Sequence, residues 1–152
     1  EGEPDAQIAF EPLAVEHYVL ACRPGHPLAG EAPLQWSAIG EYPAIVLGPN
    51  SGIGRQLRAA VPALDWQFEM QHLSTLMGFL GTGLGVAVIP ALAVTLINPT
   101  NLVYRPLRNP DVKRRIGIIR RPGASLSPAA QSLREFVIAE FAAFRKAQGL
   151  SR

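Results

Sequence analysis

Two glycine-rich stretches are the first places where this sequence could do chemistry. One covers residues 48–55, Gly-Pro-Asn-Ser-Gly-Ile-Gly-Arg, and the other covers residues 81–85, Gly-Thr-Gly-Leu-Gly. The first lacks the lysine and the following serine or threonine that a phosphate-binding P-loop requires. The second follows a predicted helix and precedes a predicted strand, whereas a dinucleotide-binding loop follows a strand and opens a helix. Neither stretch therefore predicts a nucleotide site.

The stretch at residues 48–55 has another interpretation, as the start of a helix that binds an anion. Asn50 or Ser51 could be the N-cap, because either side-chain oxygen can accept a hydrogen bond from an N–H of the first turn. Free N–H groups and the positive end of the helix dipole suit a carboxylate or another anion. The alternative is an ordinary capped turn between a strand and a helix, and this feature alone leaves both open.

Residues for nucleophilic or metal chemistry are present but are not arranged for it. No Gly-x-Ser-x-Gly elbow occurs, and Ser51, Asp65 and His72 have no spacing typical of a catalytic triad. The three histidines, His17, His26 and His72, are too scattered to predict a metal site. His72, at the start of a predicted helix, is a candidate to line a binding site. The sequence therefore predicts no enzyme, no cofactor and no metal.

Composition limits the class of protein further. The chain has 152 residues, of which 48% are hydrophobic and 17% charged, and this is enough for one ordered globular domain. A net charge of +2 is not the footprint of a nucleic-acid-binding surface. No apolar run approaches the roughly 20 residues that span a bilayer. The single cysteine, Cys22, follows an apolar run and is interpreted as a buried small hydrophobe.

Predicted strands and helices alternate along the sequence, which indicates an α/β fold with a largely parallel sheet. The first strand pattern is interrupted at Pro12, and the later strands are predicted at residues 17–22, 44–47, 66–70, 86–89, from 102, and 114–121. Helices are predicted to start near residues 51, 72, 90 and 128, with a helical turn near 36–39. Ser127 is the predicted cap of the last helix and Gly149 its end, after an apolar stripe formed by Leu133, Phe136, Val137, Phe141 and Phe144.

Several of these segments, in this order, resemble one family of bacterial proteins. Residues 11–13, 18–20 and 24–29 resemble the crossover strand and turn of LysR-type transcriptional regulators. Residues 81–90 are similar to the family segment Gly-x-Gly-Val-x-x-[Leu/Ile]-Pro, and residues 114–121 with 126–130 to its last strand and final helix. The sequence is thus identified as an N-terminally truncated effector-binding (co-inducer-binding) domain of this family.

The resemblance implies a type 2 periplasmic-binding-protein-like fold, with the second subdomain complete and the first represented only by its crossover and C-terminal pieces. The implied divisions are residues 1–23, 24–107 and 108–152, with crossovers near residues 18–24 and 105–115. Such a domain senses a small polar or carboxylate-bearing effector in an inter-subdomain cleft. Because one wall of that cleft is mostly absent, we expect weak effector binding or none.

The resemblance also implies where the effector binds and what else the whole protein contacts. The implied effector-binding residues are Gly48, Pro49, Asn50, Ser51, His72, Leu73, Ser74, Gly83 and Gly85. DNA would be bound only through an N-terminal helix-turn-helix that this sequence lacks, in a cytoplasmic homo-oligomer without membrane contact. The alternative is a solute-binding protein of a transporter, which shares the fold; the turn at residues 24–29 and the segment 126–130 favour the regulator.

Overall fold

One long strand, β1 (Ala9–Cys22), opens the described chain, and every second residue from Ala14 to Leu20 in it is buried. The predicted interruption at Pro12 is wrong, because the strand runs through this residue with Pro12 exposed. Proline has no N–H to donate, so a strand tolerates it only where that N–H would have no partner in the ladder. The prediction of a strand at residues 17–22 is confirmed as the second part of β1.

The computed structural model describes residues 8–30, 33–97 and 101–148, which divide into two units. Unit 2 is His17–Lys113, and unit 1 comprises the described residues up to Glu16 and from Arg114 onward. β1 therefore contributes its first part to unit 1 and its second part to unit 2. The predicted turn at 98–101 falls mainly, and the predicted helix end at Gly149 wholly, outside the described residues.

Within the described residues, unit 2 contains the second part of β1, five further short strands and three α-helices. The strands are β2 (Leu34–Gln35), β3 (Ala44–Leu47), β4 (Phe68–Met70), β5 (Val86–Pro90) and β6 (Val103–Arg108). The helices are α1 (Gly52–Ala60), α2 (Leu73–Gly81) and α3 (Ala91–Ile97), with 3-10 turns at Pro27–Ala29 and Trp36–Glu41. Some boundaries differ from prediction: β4 lacks residues 66 and 67, Pro90 ends β5 instead of starting α3, and β6 starts at residue 103 instead of 102.

The sheet of unit 2 has the strand order β2-β6-β1-β5-β3-β4. β3 pairs in parallel with β4 and β5, and β2 pairs in parallel with β6. β1 is antiparallel to both of its neighbours, with Tyr18 opposite Pro90 and Val19 opposite Pro106. The prediction of a largely parallel sheet is therefore wrong at β1, because this strand enters the sheet in the opposite direction.

Both faces of this sheet are buried, each against its own helices. Side chains alternate across a strand, so Tyr18, Leu20 and Cys22 face one core, which includes Leu57 of α1. Ala21 faces a second core, which is built with residues of α2 and α3. The four residues of β3 are all buried, which explains their continuous apolar run in the sequence.

Unit 1 contains the first part of β1, the strand β7 (Lys113–Arg120) from Arg114 onward, and the helix α4 (Pro128–Gln148). Ser127 is confirmed as a cap of α4, since its Oγ accepts a hydrogen bond from Ala130 N at 3.3 Å. The apolar stripe of α4 is only partly covered within this unit, with Leu133 and Phe136 more than three-fifths exposed.

Two carboxylates of β1 are paired with arginines in unit 1. Glu16 is fully buried, and Arg114 donates from Nε to its Oε1 at 2.6 Å and also from Nη2. Arg134 donates to both carboxylate oxygens of Glu11, at 2.7 and 2.6 Å. A carboxylate remains charged in a buried position only when a charged donor compensates for the loss of its hydrating water.

We predict that Arg114→Met lowers the free energy of unfolding by about 3 kcal/mol, because it removes a charged partner from the buried Glu16 carboxylate. Chemical denaturation at pH 7 would measure this value. Arg120→Met is the matched control, since Arg120 is exposed on the same strand, and it should change stability by less than about 0.5 kcal/mol. Equal effects of the two substitutions would contradict the prediction.

Candidate functional site

The carboxyl ends of β3 and β4 lie side by side. The two strands are parallel with Leu47 opposite Met70, and Gly48 N donates to Met70 O at 2.9 Å. The loop after β3 and the loop after β4 therefore leave the sheet at the same edge. In open α/β sheets, ligands bind outside the carboxyl ends of parallel strands.

In the first loop, residues 48–51, the backbone carbonyl oxygens of Gly48, Pro49 and Asn50 accept hydrogen bonds from the side chains of Ser51 and Arg55. Ser51 is the N-cap of α1: its Oγ accepts from Gly54 N at 2.8 Å and donates to Gly48 O at 2.9 Å. Arg55 Nη1 donates to the carbonyl oxygens of Pro49 and Asn50, at 3.2 Å each. In the first turn of α1, the N–H groups that Ser51 does not cap have no partner within the helix. The donors that a ligand could use therefore include the N–H groups of Gly52 and Ile53 in this first turn, whereas Gly48 N and Ser51 N already donate to backbone oxygens.

Gly54 brings α1 into direct contact with the end of β3. A Cβ at this position would lie 2.1 Å from Leu47 O and 2.4 Å from Gly48 O, which is closer than non-bonded atoms can approach. The helix backbone can therefore start against the strand only because residue 54 has no side chain. This contact requires a short connection between β3 and α1, which consists of residues 48–51.

The second loop leads from β4 into α2. His72 is the N-cap of α2, but its exposed side chain makes no capping hydrogen bond. Ser74, in the first turn, is exposed, whereas Leu73 is half-buried and packs against the second core. Two helix starts, each with the positive end of a helix dipole, are thus placed at one edge of the sheet.

The structure does not bring Gly83 and Gly85 to these loops. Both precede β5, and β5 is parallel to β3 with Val86 opposite Ala44, so they lie at the amino ends of these strands. A Cβ at the buried Gly85 would lie 2.4 Å from Pro43 O, and one at Gly83 would lie 3.0 Å from the guanidinium carbon of Arg23. The four residues of β3, about 13 Å of extended chain, separate the two edges. These glycines form tight turns at the far edge.

A group of residues that sequence reasoning missed lies at the carboxyl edge. Because Tyr18 pairs with Pro90, the last residue of β5, the start of the unit 2 part of β1 reaches this edge. A cavity of about 580 Å³ opens there, lined by His17, Tyr18, Val19, Pro106, Leu107, Arg108, Asn109 and Asp111. Its residues come from opposite ends of unit 2, so no local sequence signal could have grouped them.

Asp111, at this cavity, forms ion pairs with side chains from both ends of unit 2. Its carboxylate contacts Lys113 Nζ at 2.7 Å and His17 Nδ1 at 3.0 Å. The hydrogen bond from Lys113 is the main cause that lowers the pKa of Asp111, and the charges of Lys113 and His17 act in the same direction. Asp111 is therefore ionised at neutral pH, as a link between the two ends of unit 2.

Other chemistry finds no support among the described residues. Within residues 8–30, 33–97 and 101–148, no three His, Cys, Asp or Glu side chains are grouped as metal ligands would be. No helix in that part of the chain is long and apolar enough to cross a membrane. Cys22 is fully buried, and burial raises the pKa of its thiol despite the opposing charge of Arg105. The thiol is therefore a poor nucleophile.

Comparison with known proteins identifies the class. The family model described as the LysR substrate binding domain matches residues 1–142, so the chain belongs to this family and is the effector-binding domain of a LysR-type transcriptional regulator. This is a family of regulators without enzymatic activity. The mixed α/β fold agrees with that of solved LysR effector-binding domains.

Individual relatives point the same way. The chain is 40% identical over 131 residues to the HTH-type transcriptional regulator YbhD of Escherichia coli K12, covering 84% of this chain and 41% of YbhD. Two solved structures, each 18% identical to the chain, match 93% of it. The regulatory domain of Synechocystis CcmR in complex with 2-PG has a TM-score of 0.80, with 70% of that domain covered. The effector-binding domain of QuiR in complex with shikimate has a TM-score of 0.76, with 69% of that domain covered. The chain spans less than half the length of YbhD.

We predict opposite effects for two glycine substitutions in the first turn of α1. Gly54→Ala should lower the free energy of unfolding by about 3 kcal/mol, since its methyl group would overlap backbone oxygens that cannot move independently. Gly52→Ala has open space around the new Cβ and should stabilise by about 0.5 kcal/mol. Thermal and urea denaturation of both variants would check this, and a neutral Gly54→Ala would show that α1 is not seated on β3 as described.

The burial of Cys22 predicts slow thiol chemistry. In the folded protein, reaction of Cys22 with an aromatic disulfide reagent should be at least about a hundredfold slower than in denaturant, because it requires local opening. Absorbance of the released thiolate measures both rates. Rapid modification of the folded protein would contradict the described packing of β1.

Proposed function

We propose that the loops at residues 48–51 and 72–74 bind the effector of this LysR-type domain, a small polar or carboxylate-bearing molecule. The observation that carries the proposal is the pairing of Leu47 with Met70, which brings two helix starts to one sheet edge. Two positive dipole ends and their unpaired N–H groups favour a negatively charged group over a neutral or positive one.

Hydrogen-bonding capacity supports the same class of ligand. The carbonyl oxygens of Gly48, Pro49 and Asn50 already accept hydrogen bonds from Ser51 or Arg55. A ligand here would therefore meet the N–H groups of Gly52 and Ile53 in the first turn of α1 rather than these carbonyl oxygens, and a carboxylate consists only of acceptors. The exposed hydroxyl of Ser74 adds a group that can donate from the second loop.

His72 is an unusual N-cap for α2. Serine, threonine, asparagine and aspartate are the usual N-caps, and His72 supplies no capping hydrogen bond to α2. A residue that breaks a local rule without a structural gain is expected at functional sites. The proposed role of His72 is to contact the effector with its exposed ring.

The proposed assignment to the family fold is that unit 2 contains the second subdomain, for which the sequence predicts residues 24–107. DNA binding through a helix-turn-helix, assembly into oligomers and a cytoplasmic location are proposed, by family membership, for a full-length regulator that contains this domain. A transporter solute-binding protein is not favoured, because YbhD is a transcriptional regulator with a helix-turn-helix. Gly83 and Gly85 are not included in the proposed site, since they lie at the other edge of the sheet.

We predict that this 152-residue chain binds small carboxylates weakly, with dissociation constants near the millimolar range, and binds the matching primary amides at least about fivefold more weakly. Amide chemical shifts measured by NMR during titration with acetate, benzoate and shikimate, and with the corresponding amides, would test this. The largest changes should fall at residues 50–54 and 73–76.

Variants locate the site within the same titration. Ser74→Ala should weaken binding severalfold without loss of stability, because Ser74 is exposed and alanine is a good helix former. Thr82→Ala, in a turn at the opposite edge, is the control and should leave the affinity unchanged. Shift changes confined to residues 81–85, or equal affinity for acids and amides, would refute the proposed site. Low-micromolar binding would refute the expectation of weak binding.

A further inference from the structure

One side chain, Gln56 of α1, contacts both ends of unit 2. These end segments are defined here as residues 17–18, where the chain enters the unit, and residues 110–113, where it leaves. Tyr18 Oη donates to Gln56 Oε1 at 2.7 Å, and Gln56 Nε2 donates to Lys113 O at 2.5 Å. The amide group of Gln56 thus uses its acceptor on one end segment and its donor on the other.

The residues next to Gln56 are held in fixed positions, so its two hydrogen bonds depend on the position of α1. Tyr18 is 1% exposed, so its ring is fixed in the first core and its hydroxyl has little freedom. Leu57, the next residue of α1, is fully buried in the same core. A displacement of α1 along the sheet would therefore move the Gln56 amide relative to a fixed phenol and a backbone carbonyl, and both hydrogen bonds would respond together.

The start of the same helix is the loop of residues 48–51. Gln56 lies five residues after the N-cap Ser51, and Gly54 seats the turn between them on the backbone of β3. No flexible segment separates the loop from Gln56, because residues 52–60 are one helix. A ligand that shifts the start of α1 must therefore shift Gln56.

We infer that Gln56 is a positioning residue that couples the loop at the start of α1 to both end segments of unit 2. Binding of a ligand to that loop would change the hydrogen bonds of Gln56 to residues 17–18 and to residues 110–113 at the same time, because one amide group makes both. This coupling serves regulation only if the loop binds the effector as proposed, whereas the coupling itself can be measured without any ligand.

Other contacts at the end segments define the competing explanation. Asp111 joins His17 and Lys113 on the surface, and Trp36 Nε1 donates to Pro110 O at 2.9 Å. These contacts could hold the two segments without α1. The Asp111 carboxylate is well exposed, so its ion pairs are expected to contribute little. The comparison between Gln56 and Asp111 variants therefore decides which connection dominates.

Hydrogen exchange followed by mass spectrometry on this chain tests the inference. Gln56→Met keeps the length of the side chain and removes both hydrogen bonds, so exchange should speed up about three- to tenfold in peptides covering residues 17–22 and residues 110–116. Tyr18→Phe should affect mainly the first peptide, and Gln56→Glu, which keeps the acceptor for Tyr18, mainly the second. Asp111→Asn, the surface control, should change either peptide less than twofold.

A double-mutant cycle tests transmission from the loop. Ser51→Ala loosens the start of α1 and should raise exchange at both end segments when Gln56 is present. In the Gln56→Met background, Ser51→Ala should still loosen α1 but add nothing at the end segments. Peptides of α2, which packs in the second core of the same unit, serve as the control for unfolding of unit 2 as a whole.

Three results would overturn the inference: acceleration in Gln56→Met confined to α1, an equal effect of Asp111→Asn, or an additive effect of Ser51→Ala in the double variant. Tyr18→Phe and Gln56→Glu keep the test decisive if Gln56→Met does not fold. Because no effector is used, a failure to find carboxylate binding would refute the proposed function and leave this result unaffected.

Discussion

The contact between Gly54 and the end of β3 is the constraint on which the candidate site depends. The start of α1 lies so close to Leu47 O and Gly48 O that residue 54 has no room for a side chain. The short connection in turn places Ser51 where its hydroxyl can cap α1, and Arg55 where it can reach the loop carbonyls. Burial of Leu57 then fixes the direction of the helix. The absence of a side chain at residue 54 therefore permits the polar contacts that Ser51 and Arg55 make at the start of α1.

The direction of β1 is the second determinant. Antiparallel entry puts residues 17–18 beside the last residue of β5 and beside the end of β6, where the chain leaves unit 2. Had β1 run parallel to β5, His17 would lie at the opposite edge from Asp111. The charged group around Asp111 and the two contacts of Gln56 therefore depend on strand direction, which depends on the tertiary structure.

Much of this arrangement could be predicted from the sequence, because most of it is local. The Ser51 cap, the helix starts after β3 and β4, and the buried strands all follow from patterns within a few residues. The assignment of Gly83 and Gly85 to the same site as Ser51 came from the family resemblance alone. The predicted order of helix, glycines and strand already indicated the opposite edge, since a residue before a parallel strand lies at its amino end. The grouping of His17 with Asp111 had no such signal, because 94 positions separate them.

The outer strands of the unit 2 sheet carry one more consequence. β2 has two residues and β4 has three, and these are the first and last strands in the sheet order. An exposed edge recruits foreign strands through its row of unpaired backbone groups, and so short a row offers little to pair with. The sheet is thereby protected against ordered aggregation through its backbone, even though its central strands are rich in valine and isoleucine. Association of unit 2 with other protein chains would then depend on side chains rather than on strand pairing at these two edges.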